Sequence, residues 1–120
     1  MSEVDDAEPS GGRAIPIAPA ADSQQISFDR RELHEILEVY GRKVADGEWR
    51  DYAIDQTDER AVFSIFRRTS ETPLYRIVKQ PRRARQGAYS VVAATGLIVK
   101  RGHDLGHVLR ALDPPLRIVA

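Results

Sequence analysis

Apolar and polar residues recur with two different periods along this chain, and the change of period divides it into elements. The first period is that of an α-helix. It places apolar side chains on one helical face, at Leu33, Ile36, Leu37, Tyr40 and Val44. Asp29 and Glu32 just before this stretch have the spacing of a capping box, and Asp46-Gly47 is typical of a helix end. The pattern predicts an amphipathic helix over about residues 30–46.

The second period is that of β-strands, and it recurs in five segments separated by short turns. They cover residues 49–56, 60–68, 74–79, 89–94 and 97–101. Connections this short favour antiparallel neighbours. A shorter helical face follows at Leu105, Val108, Leu109 and Leu112, before Pro114-Pro115. The order predicts an α+β fold with an N-terminal amphipathic helix, an antiparallel sheet of about five strands and a short C-terminal helix. The apolar end Leu116–Val119 is expected to pack or to add an edge strand.

Two of the predicted strands are apolar on both faces. Val62 and Phe66 alternate with Phe63 and Ile65, and the strand that starts at Leu74 has the same character. An antiparallel sheet with one solvated face normally alternates more cleanly. Either the helices divide between the two faces or a second chain covers one of them, so a homodimer is one of the expected assemblies.

Residues 1–24 have neither period. They contain five acids, one base and no aromatic residue, and prolines and glycines interrupt them. This composition predicts a disordered, acidic, Pro/Ala-rich tail ahead of a single compact domain over residues 25–120. Ile15 and Ile17 flank Pro16 and form a candidate docking motif, with a mere tail as the alternative.

Composition excludes several classes of function. The 120-residue chain has no cysteine, which excludes disulfides, thiol catalysis and cysteine-ligated zinc. It has no apolar run of about 18 residues, and its N-terminus lacks the features of a secretory signal. We therefore expect a cytoplasmic protein that does not contact membranes and needs no cofactor.

Basic residues are concentrated in the middle of the chain. Residues 60–101 hold ten bases against one acid, although the whole chain is neutral. Arginines bind phosphates through two parallel hydrogen bonds, clustered cations release counterions from nucleic acids, and tyrosines stack on unpaired bases. The predicted partner is RNA, DNA or an acidic protein surface, bound by a basic sheet edge and loop 81–87. The alternative is a solvated surface that pairs with the acidic helix and tail.

The candidate polyanion-binding residues are Arg67, Arg68, Arg76, Lys79, Arg82, Arg83, Arg85, Lys100 and Arg101, with Tyr75 and Tyr89 as stacking residues.

Support for catalysis is weak. The chain has no P-loop, no dinucleotide-binding glycine motif and no nucleophile elbow. His103 and His107 have the spacing of two metal ligands on one helical face, but the third ligand would have to come from a distant residue. Solvated or capping side chains are the alternative for this pair. A non-enzymatic binding module is the leading prediction. The alternative is a structural or regulatory protein-interaction domain that dimerises or docks through an apolar sheet face, and a metal-dependent enzyme that uses His103 and His107 is the remote one.

Several short runs together resemble a known family. They are Phe28–Leu33, Tyr40–Arg42, Gly47–Ile54, Phe63–Arg68, Pro73–Ile77, Gln86–Val92 and Leu97–His103. Over roughly residues 26–113 the chain resembles the alphaproteobacterial family known as domain of unknown function 2794. The resemblance implies a compact bacterial cytoplasmic protein, and it supplies no activity, cofactor or catalytic residue.

Overall fold

The predicted order of elements is confirmed by the computed structural model, which describes residues 25–68 and 72–113. Two helices flank five strands along the chain, and a 3₁₀ turn, Pro81–Arg83, joins the third strand to the fourth. The elements are α1 (Arg30–Ala45), β1 (Asp51–Gln56), β2 (Ala61–Phe66), β3 (Tyr75–Lys79), β4 (Tyr89–Ala93), β5 (Ile98–Gly102) and α2 (Leu105–Leu109). The predicted tail 1–24, the Pro114-Pro115 stop and the segment Leu116–Val119 lie outside the described residues.

Helix α1 begins at the predicted capping box. The Asp29 carboxylate accepts from the Glu32 amide and the Glu32 carboxylate accepts from the Asp29 amide, both at 2.8 Å. The buried stripe differs from the prediction, since Leu37 and Val44 are 37% and 41% exposed. Glu32, Ile36 and Val39 are buried in their place. The helix is rotated toward Glu32 because this carboxylate pairs with a lysine of the sheet.

The five strands form one antiparallel sheet in the order β1-β2-β3-β4-β5. Phe63 on β2 lies opposite Ile77 on β3, and Ile77 lies opposite Val91 on β4. These three residues form one core with Ile36 of α1 and Val108 of α2. Both helices therefore cover the same face of the sheet, and the expectation that they divide between two faces is wrong.

The opposite face, which we call the open face, explains the apolar pattern on both sides of β2 and β3. Alternation places Val62, Ser64, Val78 and Ser90 there. All four are at most 8% exposed, and none belongs to the core beneath the helices. No helix or strand in residues 25–68 and 72–113 packs on this face.

The loop between β3 and β4 is compact rather than flexible. The Gln80 amide donates to Ala88 at 2.7 Å, and the Arg83 and Ala84 amides close the 3₁₀ turn inside it. Gly87 has a φ of 115°, and a β-carbon there would lie 2.8 Å from backbone atoms of Gly102. This close approach holds the loop against the end of β5. Glycine allows it because it has no β-carbon.

We expect Gly87→Ala to destabilise the protein by about 1–3 kcal/mol or more, because the substitution adds a backbone clash to a disfavoured φ. Gly41→Ala is the matched control, since Gly41 is an exposed residue of α1 with nothing near its missing β-carbon. The control should gain about 0.5–1 kcal/mol from helix propensity. Urea denaturation measures both changes, and equal effects at the two sites would contradict the packing of the loop.

Candidate polyanion-binding surface

The fold divides the predicted basic residues into separate groups. Arg76 and Arg101 lie on the open face, opposite Ser64 and Ser90 respectively. Lys100, opposite Val91, is exposed on the edge strand β5. Lys79 lies on the helix side of the sheet. The remaining candidates occupy the two ends of the sheet: Arg67 and Arg68 at one, and Arg82, Arg83 and Arg85 at the other.

Lys79 takes part in a buried ion pair rather than in an open basic surface. Its ammonium donates to Glu32 Oε1 at 2.7 Å and to the Ser27 carbonyl at 2.8 Å. The Tyr89 hydroxyl donates to the other oxygen of the same carboxylate. Glu32 is only 2% exposed, and every partner it needs is present. The cluster joins the start of α1 to β3 and β4.

Opposing effects set the protonation of this cluster. Burial by itself would raise the pKa of Glu32, but hydrogen bonds from Lys79, Tyr89 and the Asp29 amide outweigh it and lower the pKa below the ordinary value of 4.5. The pKa of the Tyr89 hydroxyl is raised, first by burial and then by its hydrogen bond to Glu32. Glu32 is therefore held ionised and Tyr89 neutral.

Both tyrosines predicted to stack on bases lie on the helix side of the sheet. Tyr75 is opposite Ile65 and Tyr89 is opposite Lys79. Each is half-buried and packed against the core. Their rings therefore pack against the interior, on the face of the sheet opposite to Arg76 and Arg101.

The open face carries a groove of about 480 Å³, which we call the sheet groove. Its floor is mostly apolar, formed by Val62, Ser64, Val78 and Val92. Its rim is polar and carries two arginines against one carboxylate: Asp55, Thr57, Arg60 and Arg76. An apolar floor between guanidinium groups suits a ligand that is apolar and anionic at once.

A second cleft of about 390 Å³, the loop cleft, lies at the loop between β3 and β4. Glu59, Gln80, Arg82, Arg83 and Gln86 line it. Arg82 lies 3.9 Å from Glu59 across exposed side chains, a pair worth little in solvent. Glu59 lines the loop cleft and the next residue, Arg60, lines the sheet groove, so the turn between β1 and β2 contributes to both.

A third cleft of about 450 Å³, the far cleft, lies at the other end of the sheet. Three arginines, Arg50, Arg67 and Arg68, line it beside Trp49. The amide of Arg50 donates to Phe66 at the last residue of β2, whereas the loop cleft lies beyond the first residue of β2. The basic segment of the sequence therefore supplies two surfaces at opposite ends of one strand.

The two histidines do not share a helical face. Asp104 caps α2, accepting from the His107 amide at 2.8 Å, so His103 precedes the helix. Its ring lies 3.3 Å from the Arg85 carbonyl. Among residues 25–68 and 72–113, no three histidine, aspartate or glutamate side chains come together as a metal-binding group. The cap of α2 is Asp104, and neither histidine side chain provides it.

Sequence reasoning missed the valines of the sheet groove. The apolar pattern on both faces of β2 and β3 predicted cover by a helix or a second chain, whereas Val62 and Val78 line a groove between arginines. Val92 on β4, which also lines the groove, was not part of that pattern. The pattern is the same for a covered face and for a face that carries a groove.

Lys79→Met should destabilise the protein by about 3–5 kcal/mol, because it leaves the buried Glu32 carboxylate without its counter-charge. Arg31→Met is the control, since Arg31 pairs with Glu35 on the exposed side of the same helix. That change should cost less than about 0.5 kcal/mol. Chemical denaturation compares the two, and a small loss for Lys79→Met would contradict the structural role of the ion pair.

The lowered pKa of Glu32 predicts a pH-dependent stability. A carboxyl group whose folded pKa lies below its unfolded value stabilises the protein above the unfolded pKa and loses that contribution as pH falls through the folded pKa. Between about pH 6 and pH 3, the free energy of unfolding should fall more steeply in the wild type than in Glu32→Gln. Identical slopes in denaturation series across this range would contradict the shift.

Comparison with known proteins gives a family and no activity. No helix in the described part of the chain is long and apolar enough to cross a membrane. No curated protein and no solved structure shows significant similarity to the chain. The sequence profile of one family, described as a protein of unknown function (DUF2794), matches residues 26–109. These residues run from the start of the domain to the last residue of α2, and the chain belongs to this family.

Proposed function

We propose that this domain is a non-enzymatic binding module that holds an acidic, partly apolar polypeptide segment across the sheet groove and the loop cleft. One observation carries the proposal. The linings of the two clefts contain consecutive residues, Glu59 and Arg60, and together they hold four arginines from separate parts of the sequence: Arg60, Arg76, Arg82 and Arg83. Only Asp55 and Glu59 oppose them among the lining residues.

The sheet groove supports a ligand with both apolar and acidic side chains. Val62 and Val78 lie side by side at the centre of the face, so apolar groups that contact them leave water. Arg60 and Arg76 at the rim offer guanidinium groups to carboxylates. An extended polypeptide meets both demands, because its side chains can alternate between the floor and the rim.

The loop cleft supports the same ligand because the backbone that carries its arginines is held by hydrogen bonds before binding. The 3₁₀ turn and the contact of Gly87 with Gly102 fix the backbone that carries Arg82 and Arg83. Arg83 also donates to Gln86 at 3.3 Å. A fixed backbone lowers the entropy that binding would otherwise cost.

The positions of the tyrosines favour a polypeptide over a single-stranded nucleic acid. Sequence-tolerant binding of single strands uses aromatic rings on which bases stack. Tyr75 and Tyr89 pack on the helix side, and the floor of the sheet groove is formed by valine and serine. Lys79 is likewise engaged by Glu32, so we leave it and both tyrosines out of the proposed surface.

Charge reversal at the loop should abolish binding without unfolding the domain. In the variant Arg82→Glu/Arg83→Glu/Arg85→Glu, affinity for a labelled peptide of alternating isoleucine and glutamate should fall at least about tenfold, because the rim charge changes sign. Fluorescence anisotropy at low and near-physiological salt measures the loss, and added salt should weaken wild-type binding. All three arginines are exposed, so the melting temperature should change little.

The matched control reverses three charges at the far cleft, in Arg50→Glu/Arg67→Glu/Arg68→Glu. These arginines are also exposed, and we expect affinity to stay within about twofold of wild type because they lie beyond the binding surface. Equal losses in both variants would indicate attraction by total charge only. Tighter binding of labelled single-stranded RNA or duplex DNA than of the peptide would indicate a nucleic-acid partner. Sedimentation as a dimer with no anion binding would favour the alternative, in which a second copy covers the open face.

A further inference from the structure

The sheet groove begins where the N-terminal segment of the chain joins the domain. The Ile26 amide donates to the Thr57 carbonyl at 2.8 Å, and Thr57 lines the groove. Residues 1–24 are therefore tethered at the rim of the proposed binding surface. A tethered segment competes for a nearby site at an effective concentration on the order of millimolar.

The N-terminal segment has the chemistry that the groove selects. Residues 1–24 carry five acids against one base, and the groove presents Arg60 and Arg76 with one opposing carboxylate. Ile15 and Ile17 are two residues apart, so they project to the same side when the chain is extended. Two apolar side chains on one side match a floor built largely of valine.

The geometry of the tether allows this contact. Ile15 lies eleven residues before Ile26, a reach of up to about 36–40 Å when extended. The five strands of the sheet span only about 20 Å. Asp22, four residues before Ile26, can reach about 14 Å, which brings the arginine rim beside Thr57 within range.

Two further observations favour the open face over the edges of the sheet. Pro16 and Pro19 lack the amide hydrogen that an added edge strand would need. On the open face, Arg101 has a buried Nε without a hydrogen-bond partner, a donor that an arriving carboxylate can satisfy.

We propose that residues 15–22 of this chain occupy the sheet groove, with Ile15 and Ile17 on the valine floor and Asp22, the one acid of these eight residues, at the arginine rim. The proposal rests on the function proposed above and adds its regulation. The segment is an intramolecular competitor, so an acidic partner gains access only by displacing it. The apparent affinity of the protein for a separate acidic partner is then its intrinsic affinity multiplied by the fraction of molecules whose groove is free.

A spin label on the full chain tests the contact directly. Because the chain contains no cysteine, Ala14→Cys provides a unique attachment point next to Ile15. Paramagnetic relaxation falls steeply with distance, so the methyl groups of Val62, Val78 and Val92 should relax faster than that of Val91. Val91 is the internal reference because it neighbours Val92 and points to the opposite face of the sheet.

Substitutions within the segment separate docking from mere tethering. Ile15→Ser/Ile17→Ser keeps the tether and its charge, and it should reduce the relaxation of the open-face methyl groups at least threefold. Ala18→Ser/Ala20→Ser adds the same two hydroxyl groups and should leave the relaxation as in wild type. Without the label, Ile15→Ser/Ile17→Ser should bind the isoleucine–glutamate peptide about tenfold more tightly than wild type, because the competitor is removed.

The outcomes distinguish the two proposals. Equal relaxation of the open-face methyl groups with and without the isoleucines would overturn docking of the segment. If the peptide then bound the wild type and Ile15→Ser/Ile17→Ser equally, the proposed function would stand alone. If the segment docked but the peptide bound neither protein, docking would be supported and the proposed function overturned.

Discussion

The fold depends on one interaction, the buried pair between Glu32 and Lys79. A carboxylate that is 2% exposed is stable only with a counter-charge and hydrogen bonds, and Lys79, Tyr89 and the capping box supply them. Because Glu32 is also the third residue of α1, the pair fixes the rotation of the helix as well as its place on β3 and β4. Ile36 and Val39 follow Glu32 into the core at helical spacing.

Anchoring α1 in this way determines what the other face of the sheet can do. The apolar residues of α2 pack into the same core, at Leu105, Val108 and Leu109. With both helices on one side, the buried valines of β2 and β3 on the other side form a groove rather than a second core. The arginines divide accordingly, since alternation assigns Arg76 to the open face and Lys79, three residues later, to the buried pair.

The sequence was most informative where the interactions are local. The capping box lies within four residues, and the strands are short apolar or alternating runs bounded by turn residues, so both were predicted with small errors at their ends. The pairing of Glu32 with Lys79 spans 47 residues and has no local signal, which is why Leu37 and Val44 were wrongly expected to be buried. The same limit applies to the candidate surface. Loop 81–87 was recognised from its composition, whereas its contact with Gly102 required the register of the strands.

The edge strand β5 is one reason why the proposed binding surface lies on the open face rather than at that edge. Exposed apolar residues on an edge strand normally invite pairing with another chain, and Ile98 and Val99 on β5 are 45% and 42% exposed. Lys100 and Arg101 follow them directly, and an irregularity between Val91 and Val92 interrupts the neighbouring ladder. Charge and a break in register both discourage an added strand. The open face has no such obstruction at its centre, where Val62 and Val78 lie side by side and the charges stand at the rim. Under the proposed function, the groove selects a partner that can satisfy the arginines, because one that is only apolar leaves Arg60 and Arg76 without counter-charges.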